Sequence, residues 1–163
     1  MKRRLAVALL LLSLPACARD HIEFRLADDF RVTAPSDQQR VRLPVQIRWK
    51  AADVKATDDL SGPGPFFAVF IDRAPIRAGT SLASLVDDDC RKLPGCPTRD
   101  WYAERFVFVT GDKTLTLPAV PADAGGTRTG ADHTHRATVV VVNANGVRVN
   151  EAAASIDFAV VGT

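Results

Sequence analysis

A chain of 163 residues is long enough for one ordinary domain and little more. Its apolar share of 47% is that of a globular protein and excludes a disordered one. Setting aside Lys2, Arg3 and Arg4, which belong to a segment expected to be removed, leaves 18 of the 21 basic residues against 19 acidic ones. That near-neutral balance gives no electrostatic case for nucleic acid or an anionic membrane, and the remaining Arg residues read as wet strand positions.

The first sixteen residues predict an export signal. Lys2, Arg3 and Arg4 form a basic start, and Leu5 to Leu14 form an apolar run that ends at Pro15. Ten helical residues reach only about 15 Å, half of a hydrocarbon core of about 30 Å, so the run suits a signal and not a permanent span. Leu14-Pro15-Ala16-Cys17 resembles the bacterial lipobox, in which the Cys takes a diacylglycerol and becomes the mature N-terminus. Ala18 after the Cys, by resemblance to the proteobacterial sorting rule, allows outer-membrane delivery. Ala16-Cys17-Ala18 also offers general signal peptidase a cut after Ala18, which would give a soluble periplasmic or secreted protein. The expected division is a signal over 1–16, lipid attachment and a short tether over 17–21, and one folded domain over 22–163.

Cysteine usage agrees with that address. With Cys17 consumed by lipid or lost with the signal, Cys90 and Cys96 remain, and two Cys in an oxidising compartment are expected to pair. Pro94 and Gly95 lie between them and can turn the chain back, and closing so short a loop contributes roughly 2 kcal/mol in the chain-entropy model.

Within the domain the signals are those of strands. Ile22, Phe24 and Leu26 alternate with charged residues, and Phe30 and Val32 mark a second short strand. Pro35 to Gln39 is a turn, after which Val41, Leu43, Val45, Ile47 and Trp49 alternate strictly with Arg42, Pro44, Gln46 and Arg48. One dry face and one wet face predict a strand lying on a core, closed by a buried Trp. The run FRVTAPSDQQRVRLPVQIRWKA resembles the opening of bacterial immunoglobulin-like and fibronectin-type-III-like domains. That resemblance implies a sandwich in which the Trp lies in the core. No Cys sits near Trp49, so the inter-sheet disulfide of antibody domains is not expected.

Asp53 to Pro65 is rich in turn formers, and Phe66 to Ile71 is a continuous apolar run, as of a strand buried on both faces. Ile76 to about Glu104 is a long excursion that needs its own structure. A short helix at Ser81–Val86 and the Cys pair supply it. Phe106–Val109 and Thr114–Leu117 flank Gly111-Asp112, a hairpin signal. A Gly-rich loop over 121–132 follows. Ala137–Val142 and Val147–Val149 flank Asn143 to Gly146, a second hairpin signal, and Ile156, Phe158 and Val160 alternate in a last strand. The expected fold is all-β: a single immunoglobulin-like antiparallel β-sandwich of seven or eight strands, with one long disulfide-containing loop insertion.

No residue pattern demands catalysis or a cofactor. No G-x-S-x-G is present, and no His lies near a Ser with an evident third partner. His133 and His135 beside Asp132 offer a weak metal clip, the basis of an alternative reading as an exported enzyme or metal-binding protein. Asp87, Asp88 and Asp89 lack the register of a calcium loop and read as a solvated acidic run. Together with Trp101 and Tyr102 they make the excursion the expected partner-binding loop, because rigid aromatics beside polar groups suit recognition. The expected role is a non-catalytic binding, adhesion or envelope-organising module, or an accessory subunit of an envelope complex. Its partners would be the membrane through the lipid anchor and another envelope protein or glycan.

Overall fold

The computed structural model describes residues 29–58, 62–121 and 133–161. The export signal, Cys17, His21, the strand expected at 22–26, most of the Gly-rich loop and the side chain of His133 lie outside the described residues.

The strands are β1 (Phe30–Ala34), β2 (Gln39–Val41), β3 (Val45–Ala51), β4 (Phe66–Ile71), β5 (Val107–Thr110), β6 (Thr114–Leu117), β7 (His133–Val142) and β8 (Ala154–Val160). They form a three-stranded sheet in the order β1-β3-β6 and a five-stranded sheet in the order β2-β8-β7-β4-β5. The protein is a mostly-β sandwich whose main core lies between the sheets. Val45, Ile47, Trp49 and Leu117 come from one side and Phe67, Val69, Ile71, Val139 and Phe158 from the other. The Trp49 ring meets Phe67 edge-on, with centroids 5.4 Å apart.

Three strand expectations need correction. Val41 to Trp49 is not one strand. Its alternation of exposure persists, but the ladder breaks over Arg42–Pro44, and the chain passes from the five-stranded sheet to the three-stranded one. Pro44 cannot donate to a ladder, so the exchange occurs where pairing is weakest. A residue facing inward on one sheet still faces inward on the other, which is why periodicity alone hides the break. The sandwich is also not wholly antiparallel, because β2 runs parallel to β8, with Gln39 opposite Phe158 and Val41 opposite Val160.

The Gly111-Asp112 turn, finally, does not make a hairpin. β5 pairs with β4 and β6 with β3, so this turn carries the chain between sheets. A Cβ on Gly111 would overlap the backbone of Thr57 and Asp58, and the Asp58 carboxylate accepts the Gly111 N–H at 2.6 Å. Glycine is needed there for close approach. The Asn143–Gly146 turn does fold back, with Gly146 at φ +71°. Its return segment makes only single bridges, Val142 to Arg148 and Ser81 to Val147, instead of a strand.

β4 matches its reading as a strand buried on both faces: all six residues are buried. Phe67, Val69 and Ile71 point into the main core, whereas Phe66, Ala68 and Phe70 point the other way. The excursion lies over this second face. It holds a 3₁₀ helix (Leu82–Leu85), α1 (Asp88–Arg91) and α2 (Arg99–Ala103). Ile76, Leu82 and Tyr102 join Phe66, Phe70, Val107, Val109, Val140 and Val142 in a second apolar core, with Leu85 and Trp101 packed against it. The excursion is therefore a third layer over half of the five-stranded sheet. The uncovered half is polar, carrying a hydrogen bond between the Thr138 and Ser155 hydroxyls and an ion pair from Arg136 to Asp157 at 2.6 Å.

Candidate partner-binding loop

The local structure of the excursion follows from its capping residues. The Ser81, Asp87 and Thr98 side chains each accept a backbone N–H from the first turn of the element that follows. For Asp87 the donor is the Cys90 N–H at 2.8 Å, and for Thr98 it is the Trp101 N–H at 3.1 Å. Cys90 is 2% exposed and bonded to Cys96, with their Cα atoms 5.4 Å apart. The disulfide thus closes the link between α1 and α2.

Arg105, just past α2, organises the surface of this layer. Its guanidinium lies 3.8 Å from the centroid of the Trp101 ring. It also donates to the Asp87 carboxylate at 2.9 Å and to the Trp101 carbonyl at 3.2 Å. A guanidinium stacked on an indole and fixed by a carboxylate is an ordered, amphipathic platform. The Trp101 ring meets Tyr102 at right angles, with centroids 5.2 Å apart. Tyr102 faces inward and is buried, and burial pushes its phenol above the usual range.

Of the residues singled out in the sequence, Asp87 and Trp101 are brought together, and Arg105, which no local pattern marks, joins them. Tyr102 supports the platform from below. Asp88 and Asp89 point into solvent and pair with Arg91 at 2.8 Å and Lys92 at 3.1 Å. Such exposed pairs contribute little stability. Among the described residues no group of three or more His, Cys, Asp or Glu is arranged to hold a metal ion.

Asp87 is held below the ordinary carboxylate range, chiefly by the Cys90 N–H, with desolvation opposing and Arg105 adding to the depression. A depressed folded value means that this carboxylate stabilises the fold above the unfolded value of about 3.9, and that the contribution is lost as pH falls through the folded value. Thermal melts from neutral to strongly acid pH should therefore show a shallower acid limb for Asp87→Asn than for the wild type. Parallel acid limbs would mean that the carboxylate does not stabilise the layer.

His135, one member of the weak metal clip, meets a carboxylate at the end of β4. His135 is 3% exposed, and its Nδ1 lies 2.6 Å from Asp72 Oδ2. The other carboxylate oxygen of Asp72 accepts the Arg136 N–H at 2.7 Å. Asp72 sits at φ +54°, a left-handed conformation that Asp tolerates better than most residues. The pair ties the end of β4 to the start of β7, with the imidazole against Phe158. No local signal links these two positions in the sequence.

No protein-family model, curated protein or solved structure matches this chain.

Proposed function

We propose that this chain is an exported envelope lipoprotein whose immunoglobulin-like sandwich serves as a non-catalytic binding or organising module. The fold part of the reading is supported by the sheet exchange between β1 and β2. One opening strand pairs antiparallel with β3 in the small sheet, and the next runs parallel to the last strand in the large sheet. Immunoglobulin-like sandwiches divide their opening strand between two sheets in this way. The address is supported by Lys2–Arg4, the apolar Leu5–Leu14 run and Cys17, and the bonded Cys90–Cys96 pair suits an oxidising compartment.

The binding role rests on one observation, the Trp101–Arg105–Asp87 platform at the surface of a disulfide-closed layer. Aromatic and Arg anchors held rigid by their own scaffold lose little conformational freedom on association, and such groups dominate binding energies. The partner class is another envelope protein or a glycan.

Crosslinking from intact cells followed by pull-down tests this role. Trp101→Ala should lower partner recovery by tenfold or more, the effect of a hot spot worth roughly 2 kcal/mol. Leu82→Ala, which loosens the same layer from below, should lower the thermal midpoint more than it lowers recovery. Full recovery with Trp101→Ala would place the binding surface elsewhere.

A further inference from the structure

We propose that the β6 edge of the three-stranded sheet pairs antiparallel with the same edge of a second copy of this chain.

Among the described strands, four have one unpaired side: β1 and β6 in the small sheet, β2 and β5 in the large one. The N–H and C=O groups of an edge are a template for another strand, and folded domains blunt such edges with breaks, charges or a cover. Three of the four are blunted. A register shift between Val32 and Ala34 interrupts β1. β2 is three residues long and carries Arg40. β5 lies against α2, and Val107, near its start, is 0% exposed.

β6 has none of these devices. Its Thr-Leu-Thr-Leu run is uncharged and unbroken, and Thr116 is exposed. The ladder with β3 fixes which of its groups are free. The Trp49 N–H donates to the Lys113 carbonyl at 3.1 Å, so the bonded pairs are Lys113 with Trp49, Leu115 with Ile47 and Leu117 with Val45. Thr114 and Thr116 turn their N–H and C=O groups the other way, where no partner lies among the described residues.

These groups favour a second copy as the occupant, because they complement themselves in one register. About a twofold axis through Leu115, Thr114 of each copy faces Thr116 of the other, and every free N–H meets a free C=O. Sliding the strands by two residues one way sets Thr114 opposite Pro118, which has no N–H. Sliding them the other way sets Thr116 opposite Asp112, whose N–H is already donated to the Thr110 hydroxyl at 3.0 Å. In the remaining register Thr meets Thr on the outer face, and the half-buried Leu115 side chains meet on the core side. No charge on β6 opposes its copy. A strand of unrelated sequence would draw nothing from this agreement between the two ends of β6. So short an edge covers less than the roughly 1,000 Å² of a stable interface, and the pair is therefore a weak one that fills at high local concentration. It needs neither the lipid nor the excursion platform.

Sedimentation of the exported protein from micromolar to millimolar concentration tests the pairing. The wild type should pass from monomer to dimer, and exchange of the Thr114 and Thr116 amides should slow as it does. Thr116→Pro removes an N–H that β3 does not use, so the thermal midpoint should hold while the association constant falls tenfold or more. Thr114→Lys with Thr116→Lys sets like charges opposite each other at both bonded pairs, and should give the same loss with the backbone untouched. Leu115→Cys, on the axis, should form a disulfide between copies, whereas Thr116→Cys should not, because its two copies lie two residues out of register. A wild type that stays monomeric at millimolar concentration would overturn the proposal, as would a dimer that survives both threonine substitutions. A photo-crosslinker at position 116 in intact cells should yield a species of twice the chain mass. Capture of a different protein alone would overturn self-pairing, in favour of a foreign strand on the same edge.

Discussion

Truncating Trp49 to alanine is expected to cost about 3–5 kcal/mol, a large part of the roughly 5–15 kcal/mol that holds an ordinary domain folded. The ring is 3% exposed, stands on the middle strand of the small sheet and packs edge-on against Phe67. Its removal opens the main core where the two sheets meet. The indole Nε1 is buried with no hydrogen-bond partner among the described residues. Trp49→Phe therefore forfeits volume but no hydrogen bond, and should cost well under half as much. Chemical denaturation of the two variants checks both figures. A loss below about 1 kcal/mol for the alanine variant would remove Trp49 from the core.

The second large effect is expected at Arg148, which is 6% exposed. Its guanidinium donates to the carbonyls of Ile76 at 2.8 Å, Glu151 at 2.6 Å and Ala152 at 3.4 Å. Its backbone N–H and C=O bond to Thr80 and Gly79. One side chain thus joins the start of the excursion to the segment leading into β8. Hydrogen bonds from a charged donor contribute about 1.5–3 kcal/mol each, so Arg148→Leu should destabilise by about 3–5 kcal/mol. Arg148→Lys should recover only a part, since an ammonium cannot span the same separated acceptors as a planar fork. Denaturation combined with amide exchange is the measurement. The N–H groups of Gly79 and Leu82, which bond to Arg148 and Gly146, should lose protection first. If their exchange is unchanged in the leucine variant, the excursion is held by its apolar contacts alone.

Much of the fold was legible because burial in a sandwich follows the period of a strand. Phe66–Ile71 could be read as doubly buried from its unbroken apolar run, and the excursion layer is the reason that both of its faces are dry. Local pattern does not reveal which sheet a strand joins, because that depends on partners far along the chain. The Gly111-Asp112 turn looks the same whether the chain doubles back within a sheet or crosses to the other. The candidate site was half legible. Trp101 and Tyr102 stood out as adjacent aromatics, and the short turn after Ser81 was expected, but assigning the rest to a loop missed two cap signals, Asp87 and Thr98, that mark short helical turns. Arg105 and Arg148 carried no signal. An Arg between apolar residues reads as a wet position, and only distant acceptors decide that it is held or buried.

The parallel pair of β2 and β8 has a consequence for biogenesis. Gln39–Val41 find their ladder partners only in Phe158–Val160, almost at the far end of the chain. Contacts between such distant residues form late and slowly, because a large loop must close before they return any stabilisation. A chain that leaves its site of synthesis N-terminus first would thus emerge with the partner of β2 still missing, and β7 would lack β8 on its other side. The large sheet can be completed only when the last strand arrives. Under the export proposed above, such an order of assembly would leave the large sheet open during passage and complete the sandwich where Cys90 and Cys96 can be oxidised.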